Sequence, residues 1–206
     1  MVQTPTKPET ETLLLELPKT LKLYVTQEQF AALAASNREL RLERTALGEL
    51  IVNPPTGWET GKRNSRITGQ LDRWDEKNEN LGQAFDSSTA FILPNGATRA
   101  PDACWVSQSS WDALTDEQKG TFANICPDFV VELRSGSDTL KSLQEKMTEY
   151  MDNGAKLGWL IDPQNRQVEI YRQKKEVEVL SNPAELSGEE ILPGFGLNMR
   201  RVWGSP

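Results

Sequence analysis

One short stretch constrains the fold of this chain more than any other, namely Pro127-Asp128-Phe129-Val130-Val131-Glu132-Leu133-Arg134-Ser135. Its three consecutive apolar residues, closed in front by a proline, predict a short buried strand. Side chains alternate between the two faces of a strand, so Val130, Glu132 and Arg134 share one face. A carboxylate and a guanidinium therefore project from a strand whose other residues are expected in the core. An unpaired charge that is buried there would cost free energy.

Two interpretations of Glu132 and Arg134 follow from these residues alone. In the first, the two charges neutralise each other or the strand has reached solvent. In the second, Glu132 is a metal-ligating carboxylate and Arg134 is a cation that faces a phosphate. Charges in such positions mark functional sites and structural ion pairs alike, so both interpretations stay open at this point.

The absence of histidine narrows the chemistry that is open to the chain. It excludes a histidine-containing catalytic triad, a histidine-ligated zinc ion and a histidine general base. Catalysis would rest on Asp, Glu, Lys, Arg, Tyr or the two cysteines. Cys104 and Cys126 lack a zinc or redox spacing, and we expect both to pack as small apolar side chains in a reducing compartment.

The length, net charge and hydropathy of the chain limit its domain number, its binding to nucleic acid and its localisation. A chain of 206 residues supports one sizeable core. The net charge of -7 argues against broad, non-specific binding to nucleic acid, which depends on neutralising phosphates, but it allows a local basic groove. No apolar run is long enough to span a bilayer and no basic-then-apolar leader is present, so we expect a cytoplasmic protein.

Apolar periodicity and turn residues predict a mixed α/β (α+β) domain with a central mixed sheet flanked by helices. Residues 1–22 are expected to form a partly disordered N-terminal extension with a short extended piece at 13–15, and residues 23–206 one domain. Helices are predicted at 26–35, 58–77, 115–122 and from Asp138 to about 153. A hairpin is predicted at 40–52. Further strands are predicted at 89–93, 99–106, 129–133, 158–161, 168–171, 177–180 and 191–197. The helix between the strands at 129 and 158 suits a crossover between parallel neighbours.

The long helix predicted at 58–77 carries a line of positive charges beside its apolar stripe. Lys62, Arg66 and Arg73 form this line, which is either a solvated face or a surface that contacts phosphates of a nucleic acid. Glu59 lies near the N-terminus of the helix, where an acid also suits the helix dipole.

Two acids on separate predicted strands are candidates to share one ion. Asp102 follows Pro101 on one strand, and Glu132 lies thirty residues later on another. Two carboxylates, a backbone carbonyl and waters are the oxygen ligands that Mg²⁺ prefers. Such an ion would bind a phosphate oxygen and activate a water. The spacing alone is a weak signal, because Pro-Asp followed later by Glu-x-Lys/Arg is frequent by chance.

Several motifs in one order give the chain a resemblance to a known family. They are Gly48–Val52, Pro54–Gly57, Arg99–Asp102, Pro127–Leu133, Lys146–Tyr150, Asn153-Gly154, Trp159–Pro163, Leu186–Gly188 and Leu192–Phe195. From about Thr26 onward, the chain resembles the Uma family, a large bacterial family of restriction-endonuclease-like proteins with the PD-(D/E)XK nuclease fold.

The resemblance implies a restriction-endonuclease-like core and a metal-dependent nuclease that acts on DNA, with Mg²⁺ or Mn²⁺ as the cofactor. Asp102 and Glu132 would be the metal ligands, together with the backbone carbonyl of Leu133. Glu59 or Glu49 would stand for the additional acid that some nucleases of this fold use. We favour Glu59, since it would lie at the head of a helix that borders the groove.

At one position the chain departs from the nuclease pattern. Arg134 stands where the pattern has lysine, and a guanidinium is a poor general base because it is always protonated. Lys146 on the following helix is expected to take over, since Lys146 and Tyr150 resemble a pair that lines the site in related nucleases. The alternatives are an exposed Lys146 paired with Glu149 or Asp152, and a Tyr150 that only packs in the core.

Two functions are therefore expected from the sequence. The first is a metal-dependent endonuclease that cuts DNA, for which a homodimer is the expected assembly. The second is a non-catalytic module on the same fold that binds nucleic acid or another protein. The arginine at position 134 and the acidic net charge favour the second.

Overall fold

The computed structural model describes residues 21–120 and 122–204 of the chain, so the extended piece expected at 13–15 lies outside the described residues. The helices are α1 (Gln27–Ser36), α2 (Trp58–Asp75), α3 (Gln108–Asp112), α4 (Asp116–Lys119), α5 (Leu140–Asp152) and α6 (Met199–Trp203). The strands are β1 (Arg41–Arg44), β2 (Leu50–Asn53), β3 (Gly82–Asp86), β4 (Phe91–Ile92), β5 (Thr98–Arg99), β6 (Ala103–Ser107), β7 (Phe129–Leu133), β8 (Leu157–Asp162), β9 (Gln167–Arg172), β10 (Glu178–Ser181), β11 (Glu185–Ser187) and β12 (Gly196–Asn198). Among these helices, none is both long enough and apolar enough to cross a membrane.

A six-stranded mixed sheet in the order β10-β9-β8-β7-β6-β3 forms the centre of the molecule. Strands β7 and β8 are parallel neighbours joined by α5, and the other pairs in this sheet are antiparallel. Parallel strands need a long crossover connection, and α5 supplies it. The predicted mixed sheet and its helical crossover are confirmed.

Both faces of the central sheet are covered, which explains the continuous apolar runs in β7 and β8. On one face, Phe129, Val131 and Trp159 pack with the apolar sides of α2 and α6. On the other, Val130 and Leu160 pack with α5 and with Cys104, while Cys126 lies at the edge of the same core. All five residues of β7 are buried, so the charge of Glu132 lies inside the protein.

A smaller sheet in the order β2-β1-β5-β4 carries the predicted hairpin of β1 and β2. Strand β5 pairs with β1 through Thr98 opposite Arg44. After Arg99 the chain leaves this sheet and enters β6 of the central sheet within a few residues. The connection at Ala100-Pro101-Asp102 therefore brings the two sheets together.

Some expected elements differ from the structure. The strand expected at 99–106 is split between β5 and β6, because the chain changes sheets at Pro101, which has no N–H to donate to a ladder. Of the strand expected at 191–197, only residues 196 and 197 lie in a strand, β12, because the chain turns before them, with Gly194 at a φ of +75°. Helix α5 is capped by the hydroxyl of Thr139 rather than by Asp138, which accepts from the N–H of Ser135 instead. Elements β3, α3, β11 and α6 have no counterpart among the expected elements.

Candidate active site

A polar cleft of about 790 Å³ is lined by residues from both sheets and from α5. Its lining includes three carboxylates and one lysine that lie close together: Glu43 from β1, Asp102 from the connection before β6, Glu132 from β7 and Lys146 from α5. The structure therefore brings together three residues that the sequence nominated, and it adds a fourth.

Lys146 joins two of these carboxylates. Its Nζ lies 2.8 Å from Oε1 of Glu43 and 2.8 Å from Oε1 of Glu132, and its side chain is only 13% exposed. Burial alone would lower the pKa of Lys146, but the negative charges of Glu132 and Glu43 outweigh burial and raise the pKa above its ordinary value. Lys146 is thus a fixed positive charge, and the alternative of an exposed lysine is wrong.

The negative charge of Glu132 is destabilised by burial and by neighbouring acids. It is 3% exposed, and its Oε1 accepts a hydrogen bond of 3.0 Å from the hydroxyl of Tyr150. Burial raises the pKa of Glu132 to about 7; Lys146 opposes this rise, while the nearby charges of Asp102 and Glu43 add to it. The cleft thus holds more negative charge than its cations neutralise, a condition that a divalent cation would relieve.

Asp102 is held against the strand that carries Glu132. Its Oδ2 accepts a 2.8 Å hydrogen bond from the N–H of Leu133, and its own N–H donates to the carbonyl of Val131. Burial raises the pKa of Asp102, and the hydrogen bond from Leu133 and the charge of Lys146 partly offset that rise. Two acids thirty residues apart in sequence are thereby fixed beside one another at one end of β7.

Glu43 is the site residue that the sequence analysis missed. It is 3% exposed, and its Oε2 lies 3.2 Å from Nη1 of Arg99 while its Oε1 contacts Lys146. Burial acts to raise the pKa of Glu43, but Lys146 and Arg99 outweigh it and hold the pKa below its ordinary value. The only signal in the sequence was the alternation of apolar and charged residues in β1, which equally fits a solvated strand face.

Comparison with known proteins assigns the chain to a family. The family model named Uma2, with the description "Putative restriction endonuclease", matches residues 27–200. The chain belongs to the Uma2 family. The resemblance inferred from the sequence motifs is therefore confirmed, and the family supports a nuclease function.

A solved structure agrees with this assignment at the level of the fold. It is titled "Crystal structure of a putative nuclease belonging to DUF820 from Anabaena variabilis ATCC 29413", and its TM-score to this chain is 0.66. The two sequences are 21% identical over 79% of this chain and 89% of that chain, so the likeness shows the fold alone. No curated protein shows a significant match to the chain.

In this Uma2 member, neither acid expected as the additional carboxylate joins the cluster. Glu59 is half exposed on α2 and forms ion pairs with Lys62 and Arg63 at 3.6 Å. Glu49 lines the cleft but forms an ion pair of 2.9 Å with Lys22. Glu43 stands beside Lys146 instead, because β1 and not β2 is the hairpin strand that pairs with β5.

Arg134 does not line the cleft. Its Nη1 donates to Oδ2 of Asp162 at 2.8 Å, and its Nε donates to the carbonyl of Asp138. Glu132 and Arg134 therefore do not neutralise each other, and each has its own partner. The positive charge expected from Arg134 comes from Lys146.

The basic line of α2 lies on another side of the helix from the site. Lys62 is paired with Glu59, and Arg66 donates to the carbonyl of Arg201. Arg73 borders a shallow groove that Arg201 also lines. At 3.6 residues per turn these cations lie away from Thr60, the α2 residue that lines the cleft. A phosphate contact by this line stays a prediction.

The residues present fit a hard divalent cation, although the described part of the chain contains no cluster of three or more histidine, cysteine or acidic side chains that could by itself hold a metal ion. Asp102 and Glu132 offer carboxylate oxygens on one strand end, and the backbone of Leu133 lines the same cleft. Mg²⁺ commonly binds through one or two carboxylates and keeps several waters, so it does not need three acidic ligands. The raised pKa of Glu132 independently indicates a place where added positive charge is favourable.

Proposed function

We propose that this chain is a Mg²⁺- or Mn²⁺-dependent endonuclease that hydrolyses phosphodiester bonds in DNA. The observation that carries the proposal is the meeting of Asp102, Glu132 and Lys146 in one cleft of an Uma2-family fold. Ionisable groups buried together are costly to retain for stability alone, and their perturbed pKa values are typical of active sites.

Asp102 and Glu132 would hold the divalent cation, with the carbonyl oxygen of Leu133 as a third protein ligand. When bound, such a cation stabilises the charge that develops on the phosphate and lowers the pKa of a water molecule. Tyr150 keeps the Glu132 carboxylate in one orientation through its hydrogen bond.

Lys146 contributes a positive charge rather than a base. Its raised pKa keeps it protonated at neutral pH, so it can stabilise the negative charge of the phosphate or orient the attacking water. Glu43, held ionised by Lys146 and Arg99, fixes the lysine at the site. The role first considered for Arg134 therefore passes to Lys146.

Cleavage of plasmid DNA in the presence of Mn²⁺ tests the assignment. We expect Asp102→Ala and Glu132→Ala to abolish cleavage, and Lys146→Ala to lower it by about 100-fold or more, as removal of one electrostatic stabiliser does. Glu59→Ala is the matched control, because Glu59 is an acid outside the cleft, and it should leave cleavage near the wild-type rate. Equal activity in the wild type and both ligand variants would reject the assignment.

A non-catalytic binding module on the same fold is the competing proposal. Its main support was the arginine at position 134, and that support weakens because Lys146 places a cation at the site. Calorimetric titration with Mn²⁺ separates the two, since a nuclease requires a site that depends on both Asp102 and Glu132. A homodimer stays a prediction that sedimentation analysis would test.

A further inference from the structure

A second polar cavity, of about 500 Å³, adjoins the cleft. The two share Arg41, Thr56, Thr60 and Asp102 in their walls. The second cavity continues along one side of α2, and its size is within the range of pockets that hold small ligands.

Arg41 stands at the junction of the two cavities. Its Nη2 lies 3.5 Å from Oδ1 of Asp102, which is a long contact, and its Nε is buried without a hydrogen-bond partner in the described part of the protein. A guanidinium presents several N–H donors in a planar fork that matches a phosphate. The Arg41 side chain is 33% exposed, and among the described residues its only ion pair is the long contact with Asp102, so its outer N–H groups are available to an acceptor from outside the chain.

The far end of the second cavity offers acceptors instead of donors. The Oδ1 atom of Asn64 is buried and has no hydrogen-bond partner among residues 21–120 and 122–204. Asp86 also lines this end, where one of its oxygens accepts from the N–H and hydroxyl of Ser88. The negative charge of Asp86 disfavours a phosphate here, whereas sugar hydroxyls and base amino groups are suitable donors.

Two glycines of α2 line the same cavity although the fold does not require them. A Cβ atom on Gly61 would meet nothing within 4 Å, and one on Gly69 would meet only the guanidinium of Arg73 at 3.5 Å. Glycine weakens a helix interior relative to alanine, so both residues reduce stability without relieving any crowding. Close approach of another molecule would account for both.

We propose that the cleft and the second cavity form one groove that binds the nucleotide next to the cleaved phosphate. The phosphate of that nucleotide binds Arg41, and its sugar and base edge lie along Thr60 and Asn64. This inference rests on the proposed nuclease function and names part of its substrate surface. The basic line of Lys62, Arg66 and Arg73 is not part of this groove.

The contact of Arg41 is tested by binding of the full-length chain to a short fluorescein-labelled DNA duplex in EDTA at several salt concentrations. We expect Arg41→Ala to weaken binding about tenfold and to lower the salt slope by about one, as the loss of one phosphate contact does. Arg41→Lys should keep the slope, and Arg66→Ala, on the other side of α2, should resemble the wild type.

A purely structural role for Arg41 gives a different result. If Arg41 only holds Asp102, then Arg41→Ala changes the affinity for Mn²⁺ in calorimetry and leaves the salt slope for DNA unchanged. That result would overturn the proposed phosphate contact.

The second cavity is tested by filling it. Gly61→Leu adds a side chain at a position where a Cβ atom would meet nothing within 4 Å, and Lys62→Leu, on another side of α2 and outside the groove, is the matched control. We expect Gly61→Leu to fold, as its melting curve checks, and to raise KM about tenfold, while Lys62→Leu keeps the wild-type KM. Equal KM values for the two variants would show that the cavity is not part of the groove.

The outcomes separate this inference from the proposed function. If the duplex is bound and the groove variants weaken it, but no protein cleaves DNA, the nuclease proposal fails and the groove stands. If the wild type cleaves and the groove variants match it, the groove fails and the nuclease proposal stands. A wild type that neither binds nor cleaves DNA overturns both.

Discussion

Glu43 and Glu132 share the ammonium group of Lys146, yet their environments move their pKa values in opposite directions. Burial acts to raise both, but Glu43 has a second cation, Arg99, which outweighs its burial. Among the residues that the structure describes, Glu132 has no such second cation beside it and faces the negative charge of Asp102 instead, so its pKa rises to about 7. Glu43 is therefore suited to anchor the lysine, and Glu132 to exchange a proton for a metal ion.

Removal of the Glu43 charge tests its role as an anchor. We expect Glu43→Gln to reduce cleavage by about 10- to 100-fold, which is the usual effect of losing a residue that orients a ligand or a catalytic group. The measurement is kcat at saturating Mn²⁺. Glu49→Gln, on the neighbouring strand of the same cleft, is the control and should remain within about threefold of the wild type, since its partner is Lys22. An equal loss in both variants would count against a special role for Glu43.

The raised pKa of Glu132 predicts how the stability of the metal-free protein depends on pH. The ordinary pKa of this carboxyl is 4.5 and its folded value is about 7, so the folded state binds more protons than the unfolded state between these values. The free energy of unfolding should therefore fall as pH rises from about 5 to about 7. Asp102, whose pKa is also raised, acts in the same direction.

Urea unfolding in EDTA at several pH values measures this dependence. Glu132→Gln removes the titrating group, so the variant should lose most of the decline in unfolding free energy over that range. A wild type and a variant with the same pH dependence would show that Glu132 is ionised throughout the range.

Helix α5 carries both Lys146 and Tyr150, and its distance from the sheet depends on one glycine of β8. A Cβ atom on Gly158 would clash with Cε of Met147 and lie 3.2 Å from Cγ2 of Val130. The absence of a side chain there leaves room for the tips of Met147 and Met151, through which α5, the helix that carries Lys146, packs on β8. The crossover helix thus places the site lysine through its packing and not only through its sequence position.

Enlarging Gly158 tests this packing. We expect Gly158→Val to lower the free energy of unfolding by about 1–3 kcal/mol, since overpacking a core has costs of this size, and to lower cleavage even in the folded protein. Urea unfolding and cleavage assays at low temperature measure the two effects. Gly61→Ala, in the open position on α2, should instead raise stability by up to about 1 kcal/mol. A fully active Gly158→Val protein would show that the site tolerates movement of α5.

At the scale of the whole molecule, the site lies where the small sheet meets the central sheet. Arg99 of β5 contacts Glu43 of β1 at 3.2 Å and also pairs with Glu149 of α5. The residues that follow Arg99 lead directly into the central sheet. One buried arginine therefore joins elements of both layers next to the cluster of Glu43, Glu132 and Lys146.

Arg99 and Arg172 form a matched pair for testing how much the contacts of Arg99 between the two layers stabilise the protein, because each arginine pairs with two acids. Arg99 and Glu43 are 11% and 4% exposed, whereas Arg172 pairs with Glu178 and Glu189, which are 48% and 33% exposed. We expect Arg99→Ala to lower the free energy of unfolding by about 1.5–3 kcal/mol, because it removes hydrogen bonds to two acids and one of the two cations that neutralise the buried Glu43. Arg172→Ala should lower it by less than about 1 kcal/mol. Urea unfolding measures the free energy of unfolding of both variants. Similar losses in the two would show that the ion pairs of Arg99 stabilise the protein no more than exposed ion pairs do.

Local patterns predicted the elements whose signals lie within a few residues. Thr26 caps the start of α1, Thr115 and Gln118 form a capping box at the start of α4, and the apolar run of β7 marks a buried strand. The length of the helix after β7 indicated a crossover. Strand β3 was not predicted. It begins at Gly82, a residue that local patterns associate with turns, and only the structure shows that a Cβ atom at this position would clash with the carbonyl oxygen of Val106 on the neighbouring strand.

The absence of histidine already limits the chemistry of this chain to Asp, Glu, Lys, Arg, Tyr and Cys side chains, and the order of its motifs identifies its family. The partner of each charge was decided only by the tertiary structure. Glu43 and Lys146 are separated by 103 residues, and Arg134 turns to Asp162 although it follows Glu132 closely in the chain. Ion pairs form through space at distances of a few ångströms, so the packing of strands and helices, and not their spacing along the chain, selects the members of the site.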